Sequence, residues 1–158
     1  MKRLAFAFIP AFLGLLVMAG SAGAQQKPLK DQLIGTWTLV SSNAYGEKPL
    51  GIQMFDASGH FAVILLRADV PKYTANNRLQ ATPAEQKATV DGSLASFGTY
   101  SVEGTDLKVH FDGSTFPNWK GADQKRTNVT VNGDEFRYTV PAPSGGGVSS
   151  ELVWRRAK

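Results

Sequence analysis

Residues 94–131 of this chain read LASFGTYSVEGTDLKVHFDGSTFPNWKGADQKRTNVTV. Alternating polar and apolar positions, rich in aromatic and β-branched side chains, predict three strands in it: Leu94–Glu103, Asp106–Asp112 and Gln124–Val131. The turn Gly104-Thr105 separates the first two strands, and a loop around Pro117 and Gly121 precedes the third. The stretch therefore predicts consecutive antiparallel strands, the pattern of an all-β domain.

Further strand candidates flank this stretch, and all are short β-rich runs bounded by turn residues. They are Gly35–Ser41, Leu50–Phe55, His60–Arg67, Glu135–Val140 and Val148–Arg155. The turns Asp56–Gly59 and Asn132-Gly133 supply the backbone freedom that tight hairpins need. Eight short strands with hairpin connections predict an antiparallel up-and-down barrel, because closure removes unpaired strand edges. A two-sheet sandwich is the alternative.

Residues 68–93 show no strand pattern and predict a helix after the third strand. Thr82 as N-cap, Pro83 at the first helical position and Glu85 at the third form a capping box, and the helix runs to about Val90. Within the preceding strand, the run Phe61–Leu66 is apolar on both faces, which predicts cover on both sides. We expect Ala68–Ser93 to cover its outer face and to form a lid. A shorter helical turn is predicted at Leu29–Leu33.

The first 24 residues have the pattern of a signal peptide. Lys2 and Arg3 precede the apolar run Leu4–Met18, and Ala22-Gly23-Ala24 is a small-x-small cleavage pattern. A membrane-spanning anchor is the alternative, but it needs roughly 20 apolar residues. We expect cleavage after Ala24, one barrel domain over residues 25–158, no membrane span in that domain, and a periplasmic or secreted location.

Composition excludes several classes of function. The formal net charge of +4 falls to +2 when Lys2 and Arg3 are removed, and no basic stripe appears, so nucleic-acid binding is not predicted. The sequence contains no cysteine, which excludes disulfides, thiolate chemistry and a lipidated cysteine. His60 and His110 have no ligand partners at a recognised spacing, and no Gly-x-Ser-x-Gly elbow is present. We predict no metal site and no cofactor.

Motifs along the chain resemble those of the bacterial lipocalin-like domain family, a calycin-type barrel. The motifs are Gly35-Thr36-Trp37, Phe97-Gly98-Thr99-Tyr100, the His110 strand, Pro117-x-Trp119-x-Gly121-x-x-Gln124-x-Arg126 and Trp154-Arg155-Arg156. The resemblance covers about Leu33 to Arg156 and implies the barrel with its inserted helix. It also implies barrel closure, with Trp37 stacked under Arg155 or Arg156, a cation–π contact worth ~0.5–2 kcal/mol. It implies no reaction, because the family has no settled activity.

His110 and Arg126 are the candidate catalytic residues. Alternation places His110 with Lys108 and Asp112 on one face, which is either an exterior face or the wall of a polar pocket. We favour the pocket. Alternation also places Arg126 on one face with Gln124, Asn128 and Thr130, and the resemblance favours an inward Arg126 that could hold a carboxylate.

Three aromatic residues complete the candidate ligand site: Tyr100, Trp119 and Tyr138. The first hypothesis is a binding protein whose barrel holds a small, partly apolar or amphipathic ligand, oriented by these residues together with His110 and Arg126. The second is an isomerase, cyclase or hydrolase that uses His110 as acid or base and Arg126 to stabilise negative charge. The third is a filled barrel that binds a partner through an exposed apolar patch. The sequence leaves the ligand and the oligomeric state open.

Overall fold

The structure of the protein, a computed structural model, describes residues 27–158. The predicted signal peptide, residues 1–24, lies outside the described residues. The helices are α1 (Leu29–Leu33) and α2 (Pro83–Asp91), and short 3-10 turns span Arg78–Gln80 and Pro117–Trp119. The strands are β1 (Gly35–Ser42), β2 (Leu50–Phe55), β3 (His60–Leu66), β4 (Ser93–Glu103), β5 (Asp106–Ser114), β6 (Asp123–Asn132), β7 (Glu135–Val140) and β8 (Ser150–Arg156).

The strands form one closed antiparallel barrel in sequence order. Each strand pairs with the next, and β8 pairs with β1 through contacts such as Leu39 opposite Trp154. The barrel prediction is confirmed, and the sandwich alternative is wrong. The last strand begins at Ser150 rather than at Val148, because Val148 belongs to the glycine-rich loop and is 93% exposed.

The two ends of the barrel differ in the length of their connections. At one end lie tight turns between β2 and β3, β4 and β5, and β6 and β7, together with α1. Leu33 of α1 is fully buried there, and the indole Nε1 of Trp37 donates a hydrogen bond to its carbonyl oxygen at 2.8 Å. The other end carries the long connections 43–49, 67–92, 115–122 and 141–149. The first end is therefore closed, and the second is free to form a mouth.

Aromatic side chains fill the closed end. Trp37 and Phe136 have ring centroids 5.2 Å apart, and Phe55 lies edge-on to Tyr100 at 4.9 Å. Such pairs contribute ~0.5–1.5 kcal/mol each beyond the burial of their surface. These packed rings therefore fill the interior at the closed end.

The predicted cover over β3 is wrong. Ile64 and Leu66, on the outward face of β3, are 42% and 38% exposed. Helix α2 lies near the mouth and buries none of its own residues, so it leaves that face open. Neighbouring outward residues of β2 and β4 are also apolar and exposed, including Leu50, Met54 and Phe97. The exposed apolar patch that the third hypothesis requires is present.

The predicted capping box on α2 is confirmed. The Thr82 hydroxyl accepts a hydrogen bond from the backbone N–H of Glu85, and Glu85 Oε2 accepts from the backbone N–H of Thr82 at 2.8 Å. Glu85 Oε1 also accepts from the backbone N–H of Thr74 at 2.8 Å. One carboxylate thus fixes both the start of the helix and the loop before it.

This carboxylate makes the mouth segment sensitive to acid. Hydrogen bonds from Thr74, then from Thr82, lower the pKa of Glu85 from 4.5 to about 2. Because this pKa is lower in the folded protein than in the unfolded chain, the Glu85 carboxylate stabilises the folded state. That stabilisation is complete above about pH 4.5 and is lost as the pH falls towards 2. We expect the amide proton shifts of Thr74 and Thr82 to titrate with a midpoint near pH 2. Glu85→Gln should abolish that titration, and a midpoint near 4.5 would contradict the assignment.

Among residues 27–158, no helix is both long enough and apolar enough to cross a membrane.

Candidate functional site

A cavity of about 700 Å³ opens at the mouth of the barrel. Each of the long connections contributes to its rim, through Tyr45, Val90, Phe116 and Pro143. Inward-facing strand residues form its apolar walls: Val63, Leu65, Leu94, Val140 and Leu152. Small-molecule sites in proteins have this size and this mostly apolar lining.

A β-bulge in β6 decides that Arg126 faces this cavity. The pairing of β6 with β7 shifts between Thr127 and Thr130, and Asn128 has a positive φ of 53°. Before the bulge Arg126 is inward, at 7% exposed, and after it the inward residues are Val129 and Val131. The predicted common face of Arg126, Asn128 and Thr130 is therefore wrong, because the extra residue of a bulge reverses the alternation.

The guanidinium of Arg126 lies between polar and aromatic neighbours. Its Nη1 donates a hydrogen bond to Gln124 Oε1 at 2.7 Å. Its Cζ lies 5.7 Å from the ring centroid of Phe111 and 5.8 Å from that of Trp119, within the range of cation–π attraction. Burial lowers the pKa of Arg126, but an arginine keeps its charge at neutral pH. The cavity therefore contains a fixed, partly desolvated positive charge.

Trp119 forms part of the cavity wall beside Arg126. It is held by the 3-10 turn Pro117–Trp119 and stacks on Phe111 at 4.8 Å between ring centroids. Phe116 packs edge-on against it at 5.7 Å. Trp119 is 8% exposed, so its ring packs into the core and also forms part of the cavity wall.

Tyr138 places a second polar group in the cavity wall. Its hydroxyl donates a hydrogen bond to Gln53 Oε1 at 3.0 Å, and burial raises its pKa to about 12. Tyr45, on the rim, also has its pKa raised to about 12 by burial. Both phenols are therefore neutral at physiological pH and can donate or accept hydrogen bonds.

Tyr100 lies at the closed end and not in the wall of the cavity. Its ring packs on Phe55, and its hydroxyl donates to the carbonyl oxygen of Asp56 at 2.7 Å. The hydrogen bond ties β4 to the turn between β2 and β3. The prediction that Tyr100 lies beside Trp119 and Tyr138 is wrong. Inward-facing residues of one barrel can lie at opposite ends of its interior.

His110 points to the outside of the barrel. It pairs across the sheet with Asp123, and its Nδ1 lies 2.6 Å from Asp123 Oδ1, while Nε2 lies 3.9 Å from Asp112 Oδ1. It lines a surface depression with Lys108 and Lys125. The predicted inward position of His110 is wrong, because Leu107, Val109 and Phe111 occupy the inward face of β5.

The outward position of His110 separates the two residues of the enzyme hypothesis. Arg126 pairs with Leu107 on the inward face of the barrel wall, whereas His110 pairs with Asp123 on the outward face. The enzyme hypothesis needs both side chains to face one cavity, and they do not.

Within residues 27–158, no group of three or more His, Asp or Glu side chains could hold a metal ion.

The residues predicted to close the barrel meet where β1 joins β8. Arg156 stacks on Trp37, with Cζ 4.1 Å from the ring centroid, and its Nη1 and Nη2 donate to the carbonyl oxygens of Ile34 and Gln32. Arg155 is exposed and pairs with Thr38 on the outer face. Trp154 is fully buried and stacks on Tyr138 with ring centroids 6.3 Å apart. The stacking cation is therefore Arg156 and not Arg155.

The sequence interpretation missed two polar residues associated with the cavity, Gln53 and Tyr45. Gln53 is 3% exposed and lies on the same face of β2 as the buried Phe55. A polar residue on an otherwise apolar strand face was the sequence signal that could have identified it. Tyr45 lies in the connection between β1 and β2, where no periodicity applies. Only the folded chain shows that this loop reaches the mouth.

Comparison with known proteins identifies the family. A family model described as a lipocalin-like domain matches residues 34–157. Among solved structures, a lipocalin-like protein from Bacteroides uniformis is 17% identical over 80% of this chain and 99% of its own, with a TM-score of 0.46. An uncharacterized protein from Bacteroides eggerthii is 9% identical over 79% of this chain and 99% of its own, with a TM-score of 0.43. No curated protein matches the sequence. Because the family model spans most of its length, this chain belongs to the lipocalin-like domain family.

Proposed function

We propose that this protein binds a small, partly apolar ligand inside the barrel. The observation that carries the proposal is the cavity of about 700 Å³, which opens between the four long connections and has apolar walls. Apolar surface provides most of the affinity in sites of this kind, and a few polar groups orient the ligand. Here those groups are Arg126 and Tyr138, with Trp119 as an aromatic wall.

The inserted segment between β3 and β4 has a part in this proposal. Thr89, Val90 and Asp91, at the end of α2, lie on the rim of the cavity. The capping box and the Glu85 hydrogen bonds to Thr74 fix this segment relative to the loop before it. We therefore assign the segment the role of one side of the mouth, which a ligand passes on entry.

The proposed site of action is outside the cytoplasm. Support comes from the N-terminal sequence, in which a basic start, an apolar run and a small-x-small pattern follow one another within 24 residues. A barrel that carries an apolar ligand through an aqueous compartment would shield that ligand from water.

Filling the cavity tests ligand binding directly. Val63 lies in the cavity wall at 8% exposed, whereas Val40 is on the outer face at 45% exposed. Val63→Trp should weaken binding of the neutral fluorescent probe N-phenyl-1-naphthylamine by ~10-fold or more, because the larger side chain occupies the ligand's space. The matched variant Val40→Trp should bind as the natural protein does.

The readout is the rise in probe fluorescence on titration with protein, with circular dichroism to show that both variants fold. Equal binding by the Val63→Trp and Val40→Trp variants would place the probe outside the barrel. Absence of binding to the natural protein would contradict the proposed function.

A further inference from the structure

The charge of Arg126 has no counter-ion within the part of the chain that the structure describes. None of the ion pairs among residues 27–158 includes Arg126. Buried charges in proteins are normally paired, because removing an isolated ion from water is costly. The aromatic rings of Phe111 and Trp119 attract the guanidinium but carry no net charge. Its neighbour Gln124 is a neutral amide.

The hydrogen-bond inventory of Arg126 is also incomplete. A guanidinium has five N–H donors, and among the described residues Arg126 uses Nη1 for one side-chain hydrogen bond, to Gln124. Among the described side chains, Trp154 Nε1 is the nitrogen that has neither contact with solvent nor a hydrogen-bond partner. The nitrogens of Arg126 that make no hydrogen bond are therefore not sealed from solvent. The unused donors of Arg126 therefore reach the open space of the cavity, whose wall Arg126 forms.

The rest of the cavity lining limits the charge that a ligand can bring. Among the described residues that line the cavity, Arg126 is the one cation and Asp91, on the rim, is the one carboxylate. Tyr45 and Tyr138 are neutral phenols. A single guanidinium balances a single negative charge, and its planar fork matches the two oxygens of a carboxylate. A dianionic phosphate would keep an excess negative charge in a largely apolar cavity.

We infer that the ligand is a monoanionic amphiphile with a carboxylate head group. The carboxylate accepts hydrogen bonds from the free donors of Arg126, and the apolar portion lies along Val63, Leu65 and Leu152 towards the mouth. The inference rests on the proposed function, because it names the ligand class of the same cavity. Arg126 then selects ligands by the charge of their head group, in addition to the selection by shape that the cavity provides.

Ligands that share one tail and differ in the head group test the inference. Decanoate and decanol should each displace N-phenyl-1-naphthylamine from the natural protein. Decanoate should bind ~10–100-fold more tightly than decanol, as a charge-assisted hydrogen-bond pair would give. Arg126→Met should reduce the affinity for decanoate to about the affinity for decanol, so that the preference for the carboxylate is lost. Arg126→Lys, which keeps the charge and loses the fork, should fall between the two.

The matched control is Arg137→Met, which removes an exposed arginine of β7 from the outer surface and should leave both affinities unchanged. If decanol binds the natural protein as tightly as decanoate, the carboxylate inference is overturned while the proposed function stands. If the natural protein binds the neutral probe and neither decyl compound displaces it, the inferred ligand class is wrong. If the neutral probe itself does not bind, the proposed function fails as well. Should Arg126→Met not fold, the head-group comparison on the natural protein and on Arg126→Lys decides the question.

Discussion

Trp37→Ala is expected to lower the free energy of unfolding by about 4 kcal/mol, a large share of the ~5–15 kcal/mol available to a typical domain. Trp37 is fully buried, packs on Phe136 and stacks on Arg156 at 4.1 Å. The substitution leaves a cavity in the closed end, removes the hydrogen bond to Leu33 and exposes the chain ends to fraying. The measurement is urea-induced unfolding followed by far-UV circular dichroism.

The contact between Trp37 and Arg156 can be separated from packing by a double-mutant cycle. Trp37→Leu, Arg156→Met and the double variant should show a coupling energy of about 1 kcal/mol, in the range of a partly buried cation–π pair. A coupling energy near zero would show that Arg156 acts through its hydrogen bonds to Ile34 and Gln32 alone.

Gly98→Ala should destabilise the barrel by about 3 kcal/mol, although it adds a single methyl group. A Cβ at Gly98 would lie 1.9 Å from the carbonyl oxygen of His110 and 2.9 Å from the backbone nitrogen of Asp112. Carbon–oxygen contacts are normally no closer than ~3.3 Å, so β4 and β5 would have to separate. The neighbours are backbone atoms of a paired strand, which cannot rotate away.

The matched control is Gly145→Ala in the loop between β7 and β8. There, among the described residues, no atom outside the two neighbouring residues lies within 4 Å of the added Cβ, and φ is not positive. That variant should unfold within ~0.5 kcal/mol of the natural protein in the same urea titration. Similar midpoints for the two glycine variants would mean that β4 and β5 are not held as closely as the structure indicates.

These stability predictions and the binding predictions concern different ends of the barrel. Trp37, Arg156 and Leu33 join α1 to the strands at the closed end, whereas Arg126, Tyr138 and the four long connections surround the cavity. Gly98 links the two, because it pairs with Phe111, whose ring lies beneath Trp119 and Arg126. Loss of the β4–β5 register should therefore disturb the cavity wall as well as the stability.

Much of the fold could be predicted because its signals are local. The order of the strands, the hairpin turns and the capping box Thr82–Glu85 each depend on residues close together in the chain, and all are present in the structure. The family pattern predicted the contact between Trp37 and a terminal arginine. The position of α2 was harder to predict from the sequence, because it depends on which surface the segment meets after the barrel has closed.

The candidate site shows where local periodicity stops being sufficient. Val129 and Val131 are buried, and strict alternation counted back from them would place Arg126 outside the barrel. The bulge at Asn128 inserts one residue and brings Arg126 inside. His110 was misassigned for the related reason that alternation separates two faces of a strand without stating which one is interior.

The sequence by itself determined the number and order of strands, the inserted helix and the antiparallel barrel, because turn chemistry and period-two patterning act over a few residues. Only the tertiary structure decided that Arg126 is inside, His110 outside and Tyr100 at the far end from the cavity. Those positions depend on a bulge and on barrel closure, which are set by pairing between residues distant in the chain.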